Sequence, residues 1–91
     1  MSGIHPGRRA RVDGNAAGGR LWELFGRDMT TARAQCGQCD RVAELADAIA
    51  EVDDAGVILL CRGCSRMLLT CLRSGDGEQL VIGALARLEL R

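Results

Sequence analysis

The spacing of hydrophobic positions changes several times along the chain, and each change predicts an element. Ala17, Leu21, Leu24 and Phe25 recur at helical spacing and share one face. Asp13-Gly14-Asn15 precedes them with two N-cap candidates, Asp13 and Asn15, and Gly26 follows as a stop. The pattern predicts a helix from Ala16 to Phe25 within an N-terminal segment 13–27. Gly18 and Gly19 each weaken that helix by about 1 kcal/mol relative to Ala. Its apolar face must therefore dock on something. Asp28 to Gln35, with Thr and short side chains, reads as a strand running into Cys36.

The middle of the chain carries conflicting signals. Val42, Leu45, Ile49 and Val52 fall at helical spacing in an Ala-rich stretch. Yet Asp53-Asp54-Ala55-Gly56 is a hairpin turn, and Val57-Ile58-Leu59-Leu60 is a β run ending at Cys61. The hairpin reading makes Glu44 to Val52 a strand against its local propensity. From Arg66 to Arg73, Met67, Leu69 and Cys71 alternate with Leu68, Thr70 and Leu72, which predicts a strand buried on both faces. Ser74-Gly75-Asp76-Gly77 is a turn, and Glu78 to Ile82 is the last expected strand. Residues 84–91 read as a C-terminal tail or short helix. Residues 1–12, with Arg8, Arg9, Arg11 and a single His5, read as a disordered basic tail in which His5 is a bystander.

Length sharpens this picture. A chain of 91 residues allows one domain, and a core from about 50 ordered residues is marginal without a metal or disulfides. The cysteines answer that need. Cys36-Gly-Gln-Cys39 and Cys61-Arg-Gly-Cys64 form two Cys-x-x-Cys pairs, the doubled spacing of a four-thiolate site. A tetrahedral zinc ion needs four sulfurs at about 2.3 Å. Two residues between paired cysteines let a tight turn aim both thiolates at one point. Gly37 and Gly63 lie inside the turns, where freedom to take positive φ is useful. The alternatives are two disulfides, which need an oxidising compartment, or a redox pair, which normally occurs once and in a βαβ context. Cys71 is left over among apolar neighbours and reads as a buried, unreactive thiol. The expected fold is thus small, metal-stabilised and mainly β. Zinc-ribbon hairpins span 28–83, preceded by a short N-terminal helix, and one structural Zn²⁺ sits on Cys36, Cys39, Cys61 and Cys64.

Charge narrows the partners. All 12 basic residues are Arg, and net charge is zero. After residue 11, nine arginines face 12 acids. Four thiolates around one Zn²⁺ make the folded part more acidic still, which opposes binding to phosphate backbones. No stretch is long and apolar enough to span a membrane, and no export signal follows Arg8-Arg9. The expectation is a cytoplasmic protein.

These motifs together resemble a group of small actinobacterial zinc-ribbon proteins of unknown function. The likeness rests on Asp13-Gly14-Asn15-Ala16-Ala17-Gly18, Leu21, Phe25, Asp28-Met29-Thr30, both Cys pairs and Met67-Leu68-Leu69. It spans about residues 13–90. Members begin at the Asp-Gly-Asn motif, so residues 1–11 read as an N-terminal extension or an upstream-assigned start. Asp40 stands where the family usually has Gly, Arg62 where it has Pro, and aromatic residues common in its strands are missing. The resemblance implies no activity. It does imply an accessory role beside flavin- or molybdenum-dependent oxidoreductases.

Several functions follow as expectations. The first is a structural zinc ribbon acting as a protein-interaction or accessory module. Leu21, Trp22 and Phe25 form a candidate hook for a partner, set against the plainer reading that the helix docks on its own ribbon. The second is nucleic-acid binding, opposed by the acidic ribbon and by only two aromatic residues, Trp22 and Phe25. The third is an iron electron carrier, since four thiolates accept either metal. Rubredoxins resemble the chain in their paired Cys-x-x-Cys but have an aromatic core that it lacks. Catalysis is not expected, because a filled site leaves no open position and the folded part holds no His.

Overall fold

The computed structural model describes residues 10–75 and 77–90. Along the chain these form β1 (Ala10–Asp13), α1 (Gly18–Phe25), β2 (Arg33–Cys36), β3 (Val42–Glu44), β4 (Ile49–Val52), β5 (Gly56–Leu60), β6 (Met67–Ser74), β7 (Gly77–Ile82) and β8 (Leu85–Glu89). The strands make two antiparallel sheets, ordered β1-β4-β5-β6-β7 and β3-β2-β8. The fold is small and mainly β with a short helix, as the patterning predicts.

The conflict over residues 41–52 resolves by division. β3 pairs with β2 in the small sheet, and β4 pairs with β1 and β5 in the large one. A single 3₁₀ turn, Leu45–Asp47, carries the chain from one sheet to the other. Leu45 is buried at the crossing, while Val42, part of the same helical pattern, is 55% exposed. The backbone of the turn is satisfied by distant carbonyls: Leu45 N–H donates to Ala32 at 2.9 Å and Ala46 N–H to Thr30 at 2.9 Å. Hydrogen bonding to the segment that leads into β2 therefore overrides the local helical preference. The β4–β5 hairpin forms over the expected turn. There Asp53 Oδ1 accepts from Ala55 N–H at 2.8 Å and Gly56 N–H at 3.0 Å.

Other expectations need correction. Residues 10–12 are not a disordered tail, because they belong to β1 and pair with β4. The rest of that tail, including His5, Arg8 and Arg9, lies outside the described residues. The C-terminal segment is neither a tail nor a helix. β8 completes the small sheet on the free side of β2, with Ala34 opposite Leu88, and Leu85 and Leu88 pack on the core. The strand expected from Asp28 shortens to Arg33–Cys36. Asp28 instead closes a turn, its Oδ1 accepting from Thr30 Oγ1 at 2.6 Å and Thr30 N–H at 2.9 Å. The Thr30 hydroxyl, then its N–H, hold that carboxyl below the usual carboxylate range.

The helix begins later than its patterning suggests. α1 starts at Gly18, and neither Asp13 nor Asn15 caps it with a side chain. Asp13 Oδ1 caps the preceding turn by accepting from Ala16 N–H at 2.9 Å. Gly26 does end the helix, in the left-handed conformation at φ 70°.

Leu21, Met29, Leu45, Val57, Leu59 and Leu69 fill the core, and Ala17, Ala32, Ala34, Ala48 and Ala50 are buried among them. Small residues let the elements approach closely, so the core needs no large aromatic. Cys71 is 2% exposed, on β6. Burial, with a smaller contribution from Glu78, pushes its thiol up to about 11. At neutral pH it is therefore a protonated core residue.

Candidate metal centre

Each Cys pair sits in the turn of a β-hairpin. Gln35 pairs with Val42 across the first turn and Leu60 with Met67 across the second. The first pair thus belongs to the β2–β3 hairpin of the small sheet, and the second to the β5–β6 hairpin of the large sheet. The expected β4–β5 hairpin exists, but its own turn lies elsewhere. The two knuckles, one from each sheet, come together at the four sulfurs.

The knuckles repeat one hydrogen-bond pattern. Cys36 N–H donates to Arg41 O at 2.9 Å, and Cys61 N–H to Arg66 O at 2.8 Å. Asp40 N–H donates to Cys36 O at 2.9 Å, and Ser65 N–H to Cys61 O at 2.7 Å. Gln38 N–H points at Cys36 Sγ at 3.4 Å, and Gly63 N–H at Cys61 Sγ at 3.3 Å. Backbone dipoles aimed at sulfur favour thiolate, the form that binds metal.

The positive φ suggested for Gly37 and Gly63 falls elsewhere. It belongs to the residue after each pair, Asp40 at 65° and Ser65 at 66°. Gly37 is needed for close approach: its N–H donates to Ala84 O at 2.6 Å, and a Cβ there would stand 2.9 Å from the same oxygen. A Cβ on Gly63 would stand 3.1 Å from Arg41 Cδ and 3.5 and 3.6 Å from the sulfurs of Cys39 and Cys61. The Arg41 stem, from the first knuckle, therefore lies across the second. Sequence reasoning missed that cover, since nothing local marks Arg41.

Asp40 occupies a backbone conformation that costs a non-glycine residue roughly 1–2 kcal/mol. Glycine would remove that strain at some cost in chain entropy. Asp40→Gly is therefore expected to stabilise the protein by about 0.5–1 kcal/mol, a rise of a few degrees in Tm. A lowered Tm in a thermal melt of the metal-loaded protein would contradict it.

The four sulfurs all lie within 4.8 Å of one another. Cys36 Sγ is 3.6 Å from Cys64 Sγ, and Cys39 Sγ is 3.6 Å from Cys61 Sγ. A tetrahedral ion with bonds of about 2.3 Å spaces its sulfurs about 3.8 Å apart. The set therefore fits such an ion with little adjustment. Cys36 and Cys61 are buried, Cys64 is half-buried and Cys39 is exposed, so the centre lies at the rim between the sheets.

The thiols titrate unevenly without a cation. The Cys39 N–H is the main cause drawing Cys36 down to about 7. The Arg41 N–H pulls the Cys39 thiol down, but burial and the neighbouring sulfurs outweigh it and bring it up to about 11. Cys64 is raised in the same way, against the Arg66 N–H. Four thiols this close resist full ionisation. A divalent cation at their centre reverses that, and binding releases the protons.

The candidate partner hook is not assembled as a unit. Leu21 is fully buried and Phe25 is half-buried against the core, which removes Leu21 from any external contact. Trp22 is 55% exposed. The helix docks mainly on its own β structure, as its spacing allowed.

Fold and site together define a small two-sheet β protein whose four clustered cysteines could hold a metal ion. The chain belongs to the family of unknown function DUF6510, which it matches over residues 8–91. That match starts upstream of the Asp-Gly-Asn motif, so the boundary expected after residue 11 does not mark where the shared region begins. No curated protein and no solved structure shows significant similarity to the chain. Among the described residues, no helix is long and apolar enough to cross a membrane.

Proposed function

We propose that Cys36, Cys39, Cys61 and Cys64 hold one structural zinc ion, and that the protein is a zinc-ribbon-like interaction or accessory module without catalysis of its own. One observation carries this reading. The four sulfurs come from equivalent hairpin turns of two different sheets and all lie within 4.8 Å of one another, two pairs of them at 3.6 Å. A closed tetrathiolate zinc contributes cohesion between elements, whereas catalytic zinc keeps an open position for water or substrate. The partner is a protein, an oxidoreductase being the kind implied by the sequence resemblance. Exposed Trp22 is the aromatic side chain suited to anchor it. The excess of acids over arginines beyond residue 11 disfavours nucleic acid, and reduced thiolates suit the cytoplasm.

The test is elemental analysis of untagged protein combined with co-purification from the native host. One zinc per chain, a colourless protein, and a stoichiometric partner lost on Trp22→Ala are the expected results. Iron with visible thiolate-to-metal absorption would make the protein an electron carrier instead. A salt-sensitive gel shift that survives removal of residues 1–9 would make it a nucleic-acid binder.

A further inference from the structure

The cysteine cluster has an open side. Cys39 is its exposed member, and the Cys39 sulfur lies 3.6 Å from that of Cys61 in the opposite knuckle. An ion on the cluster is most accessible to outside ligands from there. The groups around a metal's ligands control solvent access, and their loss typically costs about 10–100-fold in affinity or activity. The side chain beside this open side is that of Arg41.

The backbone of Arg41 is fixed by the first knuckle. Its carbonyl accepts from Cys36 N–H at 2.9 Å, and its N–H reaches the sulfur of Cys39. Asp40, at φ 65°, turns the chain just before it, and β3 starts just after it at Val42. Held in this way, the side chain crosses to the second knuckle. A Cβ on Gly63 would stand 3.1 Å from Arg41 Cδ, 3.5 Å from Cys39 Sγ and 3.6 Å from Cys61 Sγ. The methylene stem and the two sulfurs thus border one spot, which Gly63 leaves without a side chain of its own. Arg41 as a whole is exposed, and long arginine stems can cover a surface while the head remains solvated.

Behind the stem the structure is nearly closed. Arg41 and Cys61 line a cavity of about 20 Å³ with Glu44, Asp47 and Arg62. That is room for about one water and none for a chelating molecule. Arg62, the other cation here, is committed elsewhere: its Nε donates to Asp47 O at 2.7 Å and ties the second knuckle to the 3₁₀ turn.

From this placement we infer that Arg41 is the latch of the metal centre, a positioning residue of the first knuckle whose stem closes the Cys39–Cys61 side and slows loss of the ion to outside ligands. The inference rests on the metal reading proposed above and deepens it. Retention of the ion is assigned to a side chain that is not a ligand, and Cys39 becomes the corner at which exchange begins.

Transfer of zinc from the loaded full chain to the chromogenic chelator pyridylazoresorcinol tests the latch, with zinc content measured first. Arg41→Ala should bind one zinc and keep a cooperative melt, yet release the ion at least about tenfold faster than wild type. Its rate should rise with chelator concentration, as direct attack on the ion requires. Arg41→Met keeps a long stem without the charge and should stay close to wild type. Arg33→Ala, at the far end of β2 from Cys36, should release zinc at the wild-type rate. Equal rates for Arg41→Ala and wild type would overturn the latch. So would an Arg41→Met variant as fast as Arg41→Ala, or an acceleration independent of chelator concentration, which marks release through unfolding. A chain that takes up no zinc overturns the metal reading and the latch together, whereas one bound zinc with unchanged release overturns the latch alone.

Discussion

Removing the metal is expected to unfold the protein. The two Cys pairs belong to different sheets, Cys36 and Cys39 to β3-β2-β8 and Cys61 and Cys64 to the five-stranded sheet. A metal held there would therefore link parts of the chain that the described backbone joins only through the α1 segment between β1 and β2, the 3₁₀ turn at Leu45–Asp47 and the Gly83-Ala84 step. The small sheet contributes little apolar bulk of its own: Ala34 and Cys36 buried, Leu85 and Leu88 partly so. Structural zinc binding is worth about 10–16 kcal/mol at neutral pH. The whole net stability of an ordinary domain is about 5–15 kcal/mol. Loss of the ion therefore exceeds what the core can hold by itself. A strong chelator, or Cys61→Ser, should abolish the cooperative thermal transition and collapse amide chemical-shift dispersion. Cys71→Ala should retain both metal and transition, because Cys71 lies in the core on β6 outside the cluster. A metal-free protein that keeps its cooperative melt would contradict this account.

Gly14→Ala should be among the most damaging single-methyl substitutions outside the metal site. A Cβ at Gly14 would stand 1.7 Å from Leu45 O and 2.8 Å from its carbonyl carbon. Both are backbone atoms of the 3₁₀ turn that carries the chain between sheets, so no side chain can swing aside. The approach is held by Gly14 N–H donating to Ala48 O at 2.8 Å and Asn15 N–H to Ala46 O at 3.1 Å. The added methyl must break these bonds or push the turn off the core, where Leu45 is 1% exposed. Overpacking costs typically about 1–3 kcal/mol, and more where rigid backbone is struck. A loss of about 3 kcal/mol or more would lower Tm by more than about 10 °C. Gly19→Ala is the control. Its Cβ meets nothing within 4 Å, and it should stabilise α1 slightly. Equal melting temperatures for Gly14→Ala and wild type would refute the close approach.

The Gly14 result also explains part of the Asp13-Gly14-Asn15 motif. From sequence the triplet reads as a helix cap. In the structure Asp13 ends β1 and caps the following turn, Gly14 admits the 3₁₀ backbone, and Asn15 donates its N–H to that turn. The residues are informative, but their purpose lies in a segment some thirty positions away. The same holds for Gly37, which reads as a flexible turn residue and instead makes room for Ala84 of the C-terminal segment. Turn chemistry with short reach was easier to read. Gly26 ends α1 and the Asp53 carboxylate closes the β4–β5 turn, both within three or four residues of the bonds they make.

Sequence alone determined the cysteine cluster, the mainly β class, the terminator of α1 and the buried character of β6. Each depends on spacing within a few residues or on alternation along one strand. Tertiary structure alone decided that residues 41–52 split between two sheets, that β8 joins β2, that Ala10–Asp13 is an ordered edge, and that Leu21 faces inward while Trp22 does not. These outcomes depend on which distant backbone groups are free to pair and which faces remain to be covered. Hydrogen bonds and burial contributed by remote residues outweigh local propensities of a few tenths of a kcal/mol each, and a single sequence does not display those partners.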